Sequence, residues 1–438
     1  MQARFRLPTM AHATLARVFA RRPPRGCGAA AGDRASLMDL VRLPPNALRP
    51  GQRLNFSLRD ASGQLLFASG SVLPATDAVR ELLARGAYTQ AYETDTYRRE
   101  MTERANVLMH QNASLRDIAA VRPDFGADQR GRAGVETSEY AQWQELQHRV
   151  HQLLREPQSE GFLHRFEQLR MEALERLQRQ PDQTLVLLVH DASQELQRYS
   201  ARHALLCTAL AQLVGDRLDW PHGELESLTR AALSMNLALG PLQDRLVQQR
   251  EGLSADQQRQ LAGHGDRAAD LLQRLGAHDA HWLTAVRLHH DAAPGPLAGR
   301  AVGERLARLL MRIDQFAARL SPRIARRAQA GAQAARAIFL DEQRQQDEAG
   351  AALIKAVGLY PPGTFVRLAN GEEGMVVKRG TAATEPLVAA LLGKSGNPLT
   401  EPVPRDARLP SQAVGQGLAP HELRLRLSIE KLLRLAAA

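Results

Sequence analysis

The stretch GLYPPGTFVRLANGEEGMVV, Gly358–Val377, is where one sequence period gives way to another. Before it, from about Thr184, apolar residues recur at intervals of three and four, which places them on one face of an α-helix. Within it, Tyr360-Pro361-Pro362-Gly363 cannot continue a helix, because the two prolines lack the amide proton and fix φ. Thr364 to Leu368 and Gly374 to Val377 then read as apolar strands around Asn370-Gly371. That pair tolerates the positive φ of a tight turn and is a strong hairpin signal. The stretch predicts a mainly α fold, a multi-helix bundle closed by a β-hairpin.

Upstream, breaks at Gly215, Pro221, Gly240-Pro241, Gly252, Gly276 and Pro294-Gly295-Pro296 divide residues 184–358. About seven helices of about 10–20 residues are expected, enough for a self-sufficient bundle, and with the hairpin the domain spans 184–380. Residues 99–183 are polar and rich in Gln, Arg and Glu, with Leu146, Val150 and Leu153, and again Met171, Leu174 and Leu177, at helical intervals. They read as a helical connector broken at Pro123–Gly126, with a partner-binding or dimer helix as the alternative. Residues 43–98 read as a small β-rich module for docking or sensing. There Leu54, Phe56 and Leu58 alternate, Asp60–Gly63 turns, Gln64–Phe67 forms a second strand, and Asp77–Arg85 forms a short helix. Residues 381–438 read as loop closing with an amphipathic helix from about His421 to Leu435.

Residues 1–42 read as a disordered basic tail. Residues 1–37 hold seven arginines and one aspartate, so about six of the formal net charge of +10 sit there. The tail is compatible with an over-long start, translation beginning at Met38, or with a transit-like segment. The remaining surface has mixed charge and no basic stripe interleaved with aromatics, which argues against a nucleic-acid polymer as partner. No apolar run reaches the length of a membrane span. The two cysteines, Cys27 and Cys207, show no pairing pattern, which suits a reducing, cytoplasmic compartment. With 438 residues and 44% apolar content there is room for two or three ordinary cores.

His203, His264, His289, His290 and Asp314 are the residues whose chemistry stands out. Taken singly, His203 on a face with Leu206 and Leu210 reads as a core histidine, and His264 is unremarkable. The adjacent His289-His290 cannot both face one apolar core, since neighbouring helical side chains diverge by about 100°. A shared polar cavity accounts for them better, and in it imidazoles from several helices could hold a divalent ion. His190, His222, His278 and His281 read as surface residues and Cys207 as core. Arg319, Arg323, Arg326 and Arg327 form a basic stripe, either solvated or contacting an anion.

Several segments together resemble the HD-GYP family of bacterial cyclic-di-GMP phosphodiesterases. Ala201–Leu206 (ARHALL) is similar to the first metal-binding helix, and Ala231–Leu239 (AALSMNLAL) occupies the place of ALLHDIGK. His264 with Asp266–Leu272 resembles the RHPxxGAxLL helix, Leu288–Asp291 (LHHD) resembles LHHE, and Arg312–Phe316 (RIDQF) resembles VADxFD. Gly358–Glu372 is very close to the segment that ends many such domains. The likeness covers roughly residues 195–380, and the module at 43–98 resembles a small amino-terminal domain of some relatives.

The resemblance implies an HD-type bundle with a two-metal centre, in which a shared carboxylate spaces two ions about 4 Å apart for phosphodiester hydrolysis. The chain departs from that pattern at the chemistry. Met235 stands for a ligand His, and thioether sulfur is a poor ligand for hard or borderline ions. Asn236 stands for the bridging Asp, and Leu239 for a Lys near the substrate phosphate. The loop after Asp291 is short and lacks Gly-Tyr-Pro. The expectation is therefore a degenerate HD-GYP-like protein, a non-catalytic signalling or scaffold component of cyclic-di-GMP regulation. It would act through protein partners or as a homodimer through the helical connector. Its vestigial metal site, for one divalent ion such as Fe, Mn or Zn, would use His203, His264, His289, His290 and Asp314, with Asn236 as a weak ligand. The alternatives are a metal-dependent cyclic-di-GMP phosphodiesterase with altered ligands, and a sensor that binds the cyclic dinucleotide without cutting it.

Overall fold

The computed structural model describes residues 138–437 apart from 424 and 426, and before them scattered positions between 40 and 90. The described residues fall into two compact units, one within residues 24–136 and one from residue 138 onward.

The smaller unit is an antiparallel sheet of β1 (Leu40–Arg42), β2 (Leu58–Arg59), β3 (Leu65–Phe67) and β4 (Tyr88–Gln90), ordered β1-β4-β2-β3. Leu43, Leu48, Leu54, Leu58, Leu73, Val79 and Ala87 bury one another, with Phe67 packed alongside. Leu40–Arg42, expected in the tail, instead pair with Gln90, Thr89 and Tyr88, so the module begins earlier than residue 43. Of the helix expected over Asp77–Arg85, Val79 and Glu81 are helical. Phe56, the tail through residue 39 and the Pro123–Gly126 break lie outside the described residues.

The larger unit is mainly α. Its helices are α1 (Glu139–Arg155), α2 (Phe162–Arg179), α3 (Pro181–Gln194), α4 (Tyr199–Arg217), α5 (His222–Ser234), α6 (Gly240–Gln248) and α7 (Ala255–Leu261). There follow α8 (His264–Arg274), α9 (Ala280–Leu288), α10 (Val302–Leu320), α11 (Gly331–Phe339) and α12 (Glu348–Val357), and α13 (Ile429–Ala437) closes the chain. Local chemistry sets several starts. Ser254 and Gln257 form a reciprocal capping box before α7. Asp279 accepts from the amides of His281 and Trp282 to start α9, and Asp347 accepts from that of Gly350 to start α12.

Ten helices, rather than about seven, cross the region 184–358 among the described residues. The extra ones are short; α7 has 7 residues and α6, α9 and α11 have 9 each. Gly215 is not a break. It lies inside α4, where an added Cβ would come within 2.3 Å of the Leu225 side chain, so its smallness lets α5 pack close.

Helices α1 and α2, expected as connector, are built into the bundle. Trp143, Leu146, Val150, Phe166, Leu174 and Leu177 share one core with Leu205, Leu210, Leu228, Leu309 and Ile313. Polar buried pairs reinforce this: Gln144 and Gln147 of α1 donate to the Asp191 carboxylate of α3 at 2.6 and 2.9 Å. A helix whose apolar face has a core to enter contributes stability there rather than reaching toward a partner.

The hairpin forms as β5 (Phe365–Leu368) and β6 (Glu373–Lys378), but it is the middle of a five-stranded antiparallel sheet. Residues 381–438, expected as loop, supply β7 (Leu387–Leu392), β8 (Pro398–Asp406) and β9 (Val414–Leu418), giving the order β8-β7-β6-β5-β9. The LVAALL of β7 shows no alternation because its central residues are buried, so the period-2 signal is absent. The amphipathic helix begins at Ile429 rather than His421 and lies against α3, β6 and β8.

Candidate metal centre

Two short helix ends bring three imidazoles together. His264 is the first residue of α8, entered through Gly263 at φ +64°, a conformation that favours glycine. His289 caps the C-terminus of α9, and His290 follows it in the turn. Gly265 makes the approach possible, since an added Cβ would lie 2.8 Å from the Arg287 carbonyl oxygen and 2.9 Å from that of Val286.

The ligand atoms of His264, His289 and His290 all lie within 4.8 Å of one another; no other such group of three occurs among the described residues. The ring centroids are 5.0 Å apart for His264 and His289, 4.8 Å for His264 and His290, and 4.0 Å for His289 and His290. Two of the rings are fixed by backbone. His264 Nδ1 donates to the Leu261 carbonyl at 2.8 Å, and His289 Nδ1 to the Val286 carbonyl at 2.6 Å. That hydrogen bond sets the tautomer and leaves Nε2 as the coordinating atom, the usual second contact of a metal-bound histidine. The two Nε2 atoms stand 3.2 Å apart. Burial pushes His264 down to about 4 and His289 well below the ordinary imidazole range. His290 is also lowered by burial, against the pull of Asp314. The cluster is therefore neutral and rich in lone pairs at physiological pH.

His203 and Asp314 do something else. His203, on α4, places Nε2 2.8 Å from Asp314 Oδ1 on α10, and its Nδ1 is buried without a hydrogen-bond partner among the described residues. Burial pushes the Asp314 carboxyl up, yet the His203 hydrogen bond and the surrounding imidazoles overrule it and hold it well below the ordinary carboxylate range. Cys207, one turn along α4, has its Sγ 3.5 Å from the same Nε2; burial and the nearby Asp314 charge push its thiol up, so it stays protonated. No motif or spacing pointed to Tyr199, whose ring stacks on His203 with centroids 5.4 Å apart.

The five residues singled out in the sequence thus separate into an imidazole trio and a His–Asp pair. Met235 is 1% exposed and packs into the main apolar core, while Leu239 is 6% exposed in a satellite cluster with Leu242, Leu246 and Leu261. Asn236 is half-buried and lines a narrow crevice with Ser200, Ala204 and Gly240. Among the described residues the carboxylate whose charge reaches all three imidazoles, Asp314, is bonded to His203, and Asn236 adds no second one, so a two-metal centre does not fit this arrangement. One ion held by the imidazoles does fit.

Two further groups frame the cluster. Arg308 of α10 is fully buried, donates to the Ala292 carbonyl at 3.1 Å just after His290, and pairs with Asp347. Arg312 reaches the same Asp347 oxygen at 2.9 Å. On the other side, Arg323 lies 5.9 Å from the Tyr199 ring centroid. Burial and the neighbouring Arg323 charge push Arg326 down to about 10, and burial with Arg312 lowers Arg319. The sequence had these arginines as a stripe; the structure draws three of them toward Tyr199 and Asp314. A cleft of about 420 Å³ elsewhere is lined by Arg217, Leu218, Gln346, Glu348, Ala351, Ala352 and Lys355 and contains none of these histidines.

No family model matches the chain, and no curated protein matches it. Among solved structures it is similar to Bd1817, an HD-GYP-type ("HDG'Y'P") protein from Bdellovibrio bacteriovorus, over 72% of this chain and 98% of that one. The identity is 15% and the TM-score 0.35. A likeness at that level carries no argument about activity. No described helix is long and apolar enough to cross a membrane.

Proposed function

We propose that this chain is a degenerate HD-GYP-like protein, a non-catalytic signalling or scaffold component of cyclic-di-GMP regulation that works in the cytoplasm through protein partners or as a homodimer. The observation that carries the reading is the fate of the Met235-Asn236 pair. Hydrolysis of a phosphodiester by two ions needs an anionic ligand between them. Here the position offers a neutral amide, and the Met235 side chain belongs to the apolar core. Asp314, the acid nearest the imidazoles by charge, is already committed to His203. When bound, a single divalent ion would polarise a coordinated oxygen, and His264, His289 and His290 are the residues that would hold it.

The arginines favour a second reading, a sensor that binds the cyclic dinucleotide without cutting it. Arg323 lies by the Tyr199 ring with Arg326 as its neighbour, and burial together with adjacent arginine charge lowers Arg319 and Arg326. A phosphate would supply compensating negative charge.

The deciding experiment incubates the full chain with cyclic di-GMP and manganese or ferrous iron, following both turnover and melting temperature. The scaffold reading expects neither turnover nor a shift. A shift without turnover favours the sensor; a ligand at 100 times its Kd stabilises by about 2.7 kcal/mol. Turnover that disappears in His289→Ala makes the chain a phosphodiesterase and ends both readings.

A further inference from the structure

We infer that the histidine cluster is a mononuclear, all-imidazole site selecting a borderline divalent ion of the zinc class, not the two-metal centre that the resemblance implies. The inference rests on reading His264, His289 and His290 as metal ligands, and says how many ions they take and which.

The first argument is the donor set. Within the trio the donors are all imidazole nitrogens, and Asp314, whose charge bears on all three rings, is bonded to His203. Imidazole suits zinc, copper, nickel and iron, whereas carboxylate and water oxygens suit manganese and magnesium, and intrinsic affinities rise from manganese toward zinc and copper. Three histidines with a fourth position open is a recognised zinc arrangement.

The second argument is the spacing of two lone pairs. Because the Nδ1 atoms of His264 and His289 each donate to a backbone carbonyl, neither Nε2 carries a proton. They nevertheless face each other at 3.2 Å. Two bare lone pairs in a buried site repel unless a cation lies against both. Metal–nitrogen bonds of about 2.0–2.1 Å at a tetrahedral angle set two such nitrogens about 3.3–3.4 Å apart. The rings already hold nearly that separation.

The third argument counts ions. A second ion would need His203, Asp314 or Asn236. His203 Nε2 is bonded to Asp314, and coordination through it would force the proton onto Nδ1, which is buried with no acceptor among the described residues. His264 and His289 have such acceptors; His203 lacks one. Asn236 brings no charge, so two adjacent dications would have only one carboxylate to neutralise them.

The test is equilibrium dialysis of the full chain against zinc, cobalt(II), manganese or magnesium, with metal per chain measured directly and the cobalt form examined by visible absorption. One zinc or cobalt per chain is expected, bound at least about 100-fold more tightly than manganese or magnesium, with the intense visible bands of a four-coordinate cobalt ion. His290→Gln, at a half-buried position, should weaken zinc at least about 10-fold while keeping the native circular dichroism. Asp314→Asn should keep one ion per chain. Two ions per chain, manganese binding as tightly as zinc, or loss of the ion in Asp314→Asn would overturn the inference while leaving the trio as metal ligands. No binding of any of the four ions would overturn that reading as well.

Discussion

Gly265 sits against the carbonyl oxygen of Arg287 so closely that a methyl group on its Cα would come within 2.8 Å of it. Helices α8 and α9 can therefore meet at their ends, which brings His264 to His289. Gly265→Ala is expected to push the ends apart, costing about 1–3 kcal/mol as overpacking does. Urea denaturation would show the loss. Because the displaced ends carry the ligands, zinc stoichiometry should fall below one even where the variant remains folded.

Met235→His with Asn236→Asp introduces the residue types of the HD-GYP pattern that the sequence resembles, but Met235 is 1% exposed within the apolar core. An imidazole placed there without partners costs about 1–3 kcal/mol. The double variant is therefore expected to melt below the parent and to gain no cyclic-di-GMP turnover. Turnover in it would show that the core yields and that only the metal ligands had been lost.

Leu239→Lys should be worse. Leu239 packs with Leu242, Leu246 and Leu261, and a lysine there would bury an unpaired ammonium in addition to losing that packing. A loss of about 2–5 kcal/mol is expected by chemical denaturation.

Arg308, Arg312 and Asp347 form a buried charged network that ties α10 to the start of α12 and, through the Ala292 carbonyl, to the segment after His290. Asp347→Asn removes the buried carboxylate while Glu342 stays 3.1 Å from both guanidinium groups, so the loss should fall below the figure of about 3–5 kcal/mol for a fully unpaired buried charge. Replacing Arg308 and Asp347 together with apolar residues of similar volume should cost much less, and a double-mutant cycle would measure the difference.

His151 provides the pH dependence. It is 2% exposed on α1, and burial with the nearby Arg155 and Arg198 charges pushes it down to about 3 from 6.5. Its folded value lies below its unfolded value, so the unfolded chain binds the extra proton between them. The contribution is fully present above pH 6.5 and is lost progressively as pH falls from there toward 3. Each pH unit inside that window costs about 1.4 kcal/mol from this group alone. Subtracting the pH–stability curve of His151→Gln from that of the parent should isolate that slope. Glu372 acts in a lower window: held near 2 from 4.5 by its hydrogen bond with Arg405, it stabilises above pH 4.5 and loses that effect as pH falls toward 2.

The sequence by itself determined the mainly α class, the hairpin at Asn370-Gly371, and the residues from which a site would be built. Those features rest on local rules: helical period, turn chemistry and residue type. It did not reveal that α1 and α2 are bundle helices, because an amphipathic helix carries the same pattern whether its apolar face meets its own core or a partner. It left β7 to β9 as loop, because strands that gain their stability from neighbours need not alternate. In the same way five chemically matched residues looked like one constellation. Tertiary structure divided them, through two backbone carbonyls that lock His264 and His289 and one carboxylate that claims His203. Backbone carbonyls leave no mark in a list of side chains, so only the folded arrangement decides which imidazole keeps a lone pair for a metal.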